Sequence, residues 1–249
     1  MSQIKTLEDI KHAFYINLDH RTDRKEHVEE QMKIMNINAT RFNAVKMENG
    51  AIGCSMSHLK LLQNAIVNKL EHILILEDDI TFLDPELFKE QFKKFMEIHK
   101  NNWDVIIFAG NNLPPYEKID DTCIKVTRCQ TTTGYLVNGH YIKVLAQNIK
   151  MGLTNLIHRP KEHSKFAIDK FWFVLQSTGR WYLIMPTSVV QREDYSDIEK
   201  KKINYSKIMM DVDKKELFEA ISYVKKQQEN LVTIHNNFKN VTNLSRNIK

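Results

Sequence analysis

Apolar residues in this chain fall either in short unbroken runs or at intervals of three and four. Short runs bounded by polar residues read as buried strands, and the wider spacing reads as amphipathic helix. Residues 13–18 (AFYINL) therefore predict a strand that ends in Asp19-His20-Arg21. A helix is expected from 23 to 35, where Asp23 and Glu26 form a cap pair and Val28, Met32 and Met35 make an apolar stripe. Residues 40–45 read as a second strand and 57–68 as a second helix, with Ser57 as its N-cap and Leu59, Leu62 and Ile66 on one face. A strand over 72–76 runs into Glu77-Asp78-Asp79, and Asp84-Pro85 opens a third helix that carries Phe88, Phe92 and Phe95. Residues 103–109 read as another strand. This alternation predicts an α/β unit around a largely parallel sheet. The second half is less regular. Strands are expected over 124–128, 134–137, 182–185 and 188–191, and helices over 139–151 and 166–177.

Composition limits the class more than the function. With 249 residues and 42% hydrophobic content there is room for a full core, and only 7 Gly, 5 Pro and 3 Cys exclude collagenous and disulfide-scaffold chains. The net charge of +5 is unevenly placed. Residues 1–199 hold 25 basic and 26 acidic side chains, whereas residues 200–249 hold 11 and 5. A nucleic-acid groove across the body is therefore not implied, and no nucleic-acid partner is expected. No repeat or Pro/Gly/Ser linker interrupts residues 1–199, which read as one domain. Residues 200–249 read as a Lys-rich extension, helical around 214–231 and frayed beyond 236, able to dock on an anionic membrane surface or a partner. No apolar run approaches the roughly 20 residues that span a bilayer, and residues 1–18 do not resemble a secretory signal. Cys54, Cys123 and Cys129 lack CxxC or metal-ligand spacing and read as free thiols, so a cytoplasmic protein is expected.

The sharpest feature is the apolar strand that delivers Glu77, Asp78 and Asp79 at its carboxyl end. Ligand crevices of open α/β sheets lie at such ends. If the extended backbone continues, Glu77 and Asp79 share one face and Asp78 points away. Two carboxylates on one face suit a hard divalent cation, Mn²⁺ or Mg²⁺. A solvated acidic turn before the helix at Asp84 is the plain alternative. The chain has no GxxxxGK[ST] for a Walker B reading and no GxGxxG for a dinucleotide fold, and the neutral body disfavours a two-metal nuclease.

Four segments together resemble glycosyltransferase family 25, which includes lipopolysaccharide-biosynthesis and procollagen galactosyltransferases. They are FYINLDHRTDR at 14–24, GCSMSH at 53–58, LEDD at 76–79 and QREDYSDI at 191–198, with weaker echoes at Thr133-Gly134-Tyr135 and Ile168-Asp169. They run in order across about three quarters of the chain. The resemblance implies a GT-A-like fold, a single Rossmann-type mixed, mainly parallel sheet flanked by helices; it does not cover the C-terminal tail, which reads as helical from its own residues. It also implies a UDP-sugar donor, a divalent metal (Mn²⁺ or Mg²⁺) and inversion at the anomeric carbon.

On that footing Asp79 is expected to ligate the metal directly, and Glu77 to support the metal or the ribose. Asp78 is expected to meet the sugar or a backbone donor. Asn17, Asp19 and Arg24, with Arg21, would form the nucleotide side of the crevice. Gly53, Ser57 and His58 would offer an anion site at a helix start, His58 touching phosphate or metal. Inversion needs a base on the acceptor hydroxyl. Asp169 is the first choice, Asp194 and Asp197 are rivals or nucleotide contacts, and Gln191 would touch the donor sugar. The function expected is transfer of a hexose, galactose or glucose favoured, from a UDP-sugar to a hydroxyl of a protein or glycan acceptor. The alternative is a catalytically inactive carbohydrate-binding or scaffold protein that retains the fold.

Overall fold

In the computed structural model, which describes residues 4–196, 201–215 and 217–223, eight strands form one mixed sheet between two apolar layers. The strands of the chain are β1 (Ala13–Asn17), β2 (Ala39–Asn43), β3 (His72–Glu77), β4 (Ile80–Phe82), β5 (Val105–Asn112), β6 (Tyr116–Lys118), β7 (Cys123–Val126), β8 (Cys129–Asn138), β9 (Trp181–Ile184), β10 (Val189–Gln191), β11 (Asp194–Ser196) and β12 (Lys201–Ile203). The main sheet runs β2-β1-β3-β8-β5-β9-β7-β6, while β4 pairs with β10 and β11 with β12 in two small ribbons. The α-helices of the unit that holds the sheet, among the described residues, are α1 (Thr22–Met35), α2 (Gly50–Val67), α3 (Pro85–His99), α4 (Ile142–His158), α5 (His163–Phe166), α6 (Ile168–Phe171), α7 (Phe173–Thr178) and α8 (Ser206–Met210).

Period-two alternation assigns the two layers. Leu74 and Leu76 of β3 pack with Val28, Met32 and Met35 of α1 and Phe88, Phe92 and Phe95 of α3. Ile73 and Ile75 pack with Leu61 and Leu62 of α2 and Leu145 and Ile149 of α4. The α/β, GT-A-like mixed sheet is thus present, with a different balance of directions from the largely parallel one expected. β1 is parallel to β2 and β3, and β5 to β9, but β8 enters between β3 and β5 and runs antiparallel to both. Patterning detected only residues 134–137 of β8, because its first half is polar Gln130-Thr131-Thr132-Thr133.

Two helix boundaries also differ from expectation. α2 starts at Gly50, seven residues before Ser57, because the Asn49 side chain accepts from the Ala51 and Ile52 N–H groups and caps it. Ser57 is internal and buried; its hydroxyl donates to the Gly53 carbonyl at 2.8 Å and accepts from the Val45 N–H at 2.8 Å. The helix expected over 166–177 is three short pieces, broken where Ala167 turns extended (ψ 146°) and again at Trp172. By contrast, Asp84 caps α3 through the Leu87 N–H as expected. The compact unit that holds the sheet runs from Met1 to Val212, so β12 and α8 belong to it although their charge groups them with the tail. The second unit starts at Asp213; within it residues 217–223 are helical, and the rest of the expected tail helix lies outside the described residues.

At Gly53 α2 passes close to the segment after β2. A Cβ placed there would stand 2.4 Å from the Val45 carbonyl oxygen. Gly53→Ala is therefore expected to destabilise the fold by about 1–3 kcal/mol, read as a lower urea midpoint with an unchanged slope.

Candidate functional site

The carboxyl ends of β1, β3 and β5 and the polar start of β8 meet at one edge of the sheet, as the crevice rule anticipates. A cleft of about 960 Å³ opens there. Its walls include Asn49, Gly50 and Cys54 at the start of α2, Glu77, Asn111, and Gln130, Thr131 and Thr132 of β8. His163, Asp169 and Lys170 line it from the broken α5–α6 segment, and Gln191 and Tyr205 line it as well.

β3 ends at Glu77, and Asp78-Asp79 form the turn into β4, so the strict alternation expected of the triplet stops at its first member. Each carboxylate has its own environment. Glu77 Oε1 accepts from the Thr132 hydroxyl at 2.6 Å and lies 3.3 Å from His58 Nε2. Burial alone would raise its carboxyl, but the His58 and Thr132 hydrogen bonds outweigh that and hold it below the ordinary value. Asp78 accepts from Asn17 Nδ2 at 2.7 Å and from Arg24 Nη1 at 3.0 Å. Asp79 Oδ2 accepts from Gln191 Nε2 at 2.7 Å and Arg24 Nη1 at 3.2 Å, while its Oδ1 is buried with no hydrogen-bond partner. Burial, followed by the charge of Glu77, pushes the Asp79 carboxyl up to about 7.

Arg24 supplies one positive charge to Asp78 and Asp79 together. The orphaned Asp79 oxygen and the carboxylates around it are a donor set that would fit a hard divalent cation, which Asp79 would ligate. The β4–β10 ribbon brings Gln191 opposite Ile80 and so onto Asp79.

Several expected nucleotide contacts are structural instead. Asn17 is buried, donating to Asp78 and the Arg21 carbonyl and accepting from Arg41 Nε at 3.0 Å. Asp78 is spent between Asn17 and Arg24 and presents nothing to the cleft. Asp19 stands exposed beside Arg41. Gly53 is a close-packing position and Ser57 an internal hydroxyl, so neither offers an anion site. His58 is wholly buried between the Tyr135 hydroxyl and Glu77, out of reach of phosphate.

Arg24 reaches Asp78, Asp79, Asp194 and the Tyr195 carbonyl and acts as an internal tie. Asp194 is an unsuitable base. Although burial raises its carboxyl, the Tyr195 N–H and the guanidiniums of Arg24, Arg192 and Arg21 hold it below the usual range. Asp197 lies outside the described residues.

Asp169 does face the cleft. Burial raises its carboxyl, opposed by Lys170 at 3.7 Å and the Thr131 N–H at 3.3 Å. The residues that sequence reasoning missed are Thr131, Thr132, His163 and Lys170. The only signal was the Thr triplet ahead of Gly134, which falls between the strands expected over 124–128 and 134–137.

The family model described as Glycosyltransferase family 25 (LPS biosynthesis protein) matches residues 45–156. The resemblance to glycosyltransferase family 25 holds. The match spans α2, β3 and β8, and with them Cys54, His58 and the Glu77–Asp79 triplet. Asn17, Arg24, Asp169 and Gln191 fall outside it.

A mouse protein named "Inactive glycosyltransferase 25 family member 3" is 25% identical over 126 residues, 49% of this chain and 20% of that protein. A protein of Acanthamoeba polyphaga mimivirus named "Procollagen lysyl hydroxylase and glycosyltransferase" is 30% identical over 110 residues, 40% of this chain and 12% of that one. The chain thus spans a fifth or less of the length of these two relatives. Among solved structures it is similar to a glycosyltransferase involved in glycosylation of the major capsid of PBCV-1, at 13% identity and a TM-score of 0.44, covering 72% of this chain and 92% of that one. Among the described residues, no helix is long and apolar enough to cross a membrane.

Proposed function

We propose that this chain is a metal-dependent inverting glycosyltransferase that moves a hexose, galactose or glucose, from a UDP-sugar to a hydroxyl of a protein or glycan acceptor. One observation carries the reading. Glu77 and Asp169 present carboxylates to the same cleft at the carboxyl edge of the sheet, and Gln191, also in its lining, holds Asp79 through Oδ2 while the other oxygen, Oδ1, has no partner. Bound Mn²⁺ or Mg²⁺ would supply Lewis-acid neutralisation of the diphosphate leaving group.

The chain's own residues do the rest. Asp169 accepts the acceptor hydroxyl proton on its carboxylate, and its raised pKa suits a base working near neutral pH. The Thr131 N–H and Lys170 hold it oriented toward the cleft. Gln191 bridges the donor side to Asp79, and Thr132 fixes the rotamer of Glu77.

The inactive-scaffold reading draws on the name of the mouse relative, and the experiment separates the two. UDP at about one hundred times its Kd with Mn²⁺ should stabilise the chain by about 2.7 kcal/mol, a rise in Tm on the order of 5–10 °C. UDP release should follow from UDP-galactose or UDP-glucose in a donor screen. A thermal shift without turnover of any donor would favour the scaffold, and no shift with or without metal would end the proposal.

A further inference from the structure

The cleft wall holds a second donor set whose chemistry differs from that of Asp79. Cys54 and His58 stand four residues apart on α2 and so share a face, and β3 ends with Glu77 opposite them. One ligand atom from each of the three lies within 4.8 Å of the other two. His58 Nε2 is 3.3 Å from Glu77 Oε1, and Cys54 Sγ is 3.7 Å from the same oxygen. The first is long for a hydrogen bond of nitrogen to oxygen, where distances centre near 2.9–3.0 Å. As edges of a coordination tetrahedron the two distances fit. Zinc–nitrogen and zinc–oxygen bonds of about 2.1 Å and a zinc–sulfur bond of about 2.3 Å give ideal edges of about 3.4 Å for N···O and about 3.6 Å for S···O.

The surroundings fit as well. The Tyr135 hydroxyl lies 2.7 Å from His58 Nδ1, the outer partner that fixes a ligating imidazole and leaves Nε2 for a metal. His58 is wholly buried, so its ring is held in that direction. The Thr132 hydroxyl holds Glu77 at 2.6 Å. Cys54 and Glu77 line the cleft, which leaves a fourth coordination position open to water. A second cluster of the same residue types, His99, Asp120 and Cys123, differs where it matters. Its His–Asp contact of 2.8 Å is an ordinary hydrogen-bond distance, shorter than any such edge.

We propose that Cys54, His58 and Glu77 form a site for a thiophilic divalent cation, Zn²⁺. On binding, the Cys54 thiol releases its proton to solvent, the thiolate, the imidazole and the carboxylate take three of four tetrahedral positions, and of the six waters on the hydrated ion five leave and one stays on the cleft side. On the reading of Glu77 given above, occupation also withdraws that carboxylate from the donor side, so Zn²⁺ inhibits transfer. Sequence spacing hid the site because the third ligand comes from another element.

Co²⁺ titrated into the full chain without nucleotide is the test. A near-ultraviolet thiolate-to-cobalt charge-transfer band should saturate at one equivalent, vanish on adding one equivalent of Zn²⁺ and survive excess Mg²⁺. Cys54→Ser should abolish the band and weaken Zn²⁺ binding at least tenfold. Should that variant fail to fold, the wild-type chain still decides: Zn²⁺ should slow alkylation of Cys54 at least tenfold by peptide mass spectrometry. No band, a band that persists in Cys54→Ser, or unprotected Cys54 would overturn the proposal. None of these readouts uses UDP or turnover, so their failure leaves the transferase reading standing.

Discussion

Asp79→Asn is expected to remove the Mn²⁺-dependent part of the UDP thermal shift and to lower turnover at least a hundredfold. The substitution is nearly isosteric, and the side-chain oxygen it keeps can still accept from Gln191 and Arg24, so the β4–β10 ribbon should stay in place. What it removes is negative charge at a buried oxygen that has no partner within the chain.

A metal-free measurement adds an independent check. The Asp79 carboxyl sits near 7 in the fold against 3.8 when unperturbed, so between those values the folded state holds a proton that the unfolded state has lost. Stability of the metal-free protein should therefore fall as pH rises from about 4 to about 7, by up to roughly 1.4 kcal/mol per pH unit from this group. In Asp79→Asn that contribution to the slope disappears, and above neutral pH the metal-free variant should be the more stable protein. Urea midpoints of both proteins at several pH values read this directly. A variant that keeps the metal-dependent shift would remove Asp79 from the metal.

The carboxylate triplet was legible because an apolar strand that ends in three acids is costly without a cation, and that cost is local to residues 73–79. The alternating layers of β3 and β5 and the Asp84 cap of α3 were legible for the same reason, since neighbouring residues settle them. What failed depended on partners far along the chain. Asn17, Asp78 and Arg24 read as nucleotide contacts, yet they satisfy one another across 54 to 61 residues of sequence. Asp194 read as a base until three guanidiniums were found around it. The start of α2 was misplaced because Asn49 was not seen as a cap and two glycines follow it. β8 was half missed because the polar residues that face the cleft break the pattern by which strands are found. The polar stretches that blurred the strands were therefore part of the site itself.

Asp169→Asn is expected to lower kcat by about 10²- to 10⁴-fold, with the donor KM changed only a few-fold and the UDP–Mn²⁺ thermal shift intact. Asp169 is set by the first turn of α6, an element separate from β3, and lines the same cleft as Glu77. A base must be ionised to act, so turnover should rise with pH through its pKa and then level. Burial places that pKa above the usual carboxylate range, and Lys170 at 3.7 Å pulls it part of the way back. Lys170→Met, which keeps the length of the side chain and removes the cation, should therefore move the acid limb of the kcat profile to higher pH while leaving the plateau largely unchanged. A lysine that only supported the fold would change Tm and leave the limb where it was. The opposite pattern, with turnover surviving in Asp169→Asn but lost in Asp194→Asn, would transfer the proton to a carboxylate that three guanidiniums hold in its ionised form. Such a group is a weak base, and its acid limb would fall below the ordinary carboxylate value rather than above it. The position of the limb thus distinguishes the two aspartates even if both substitutions reduce the rate.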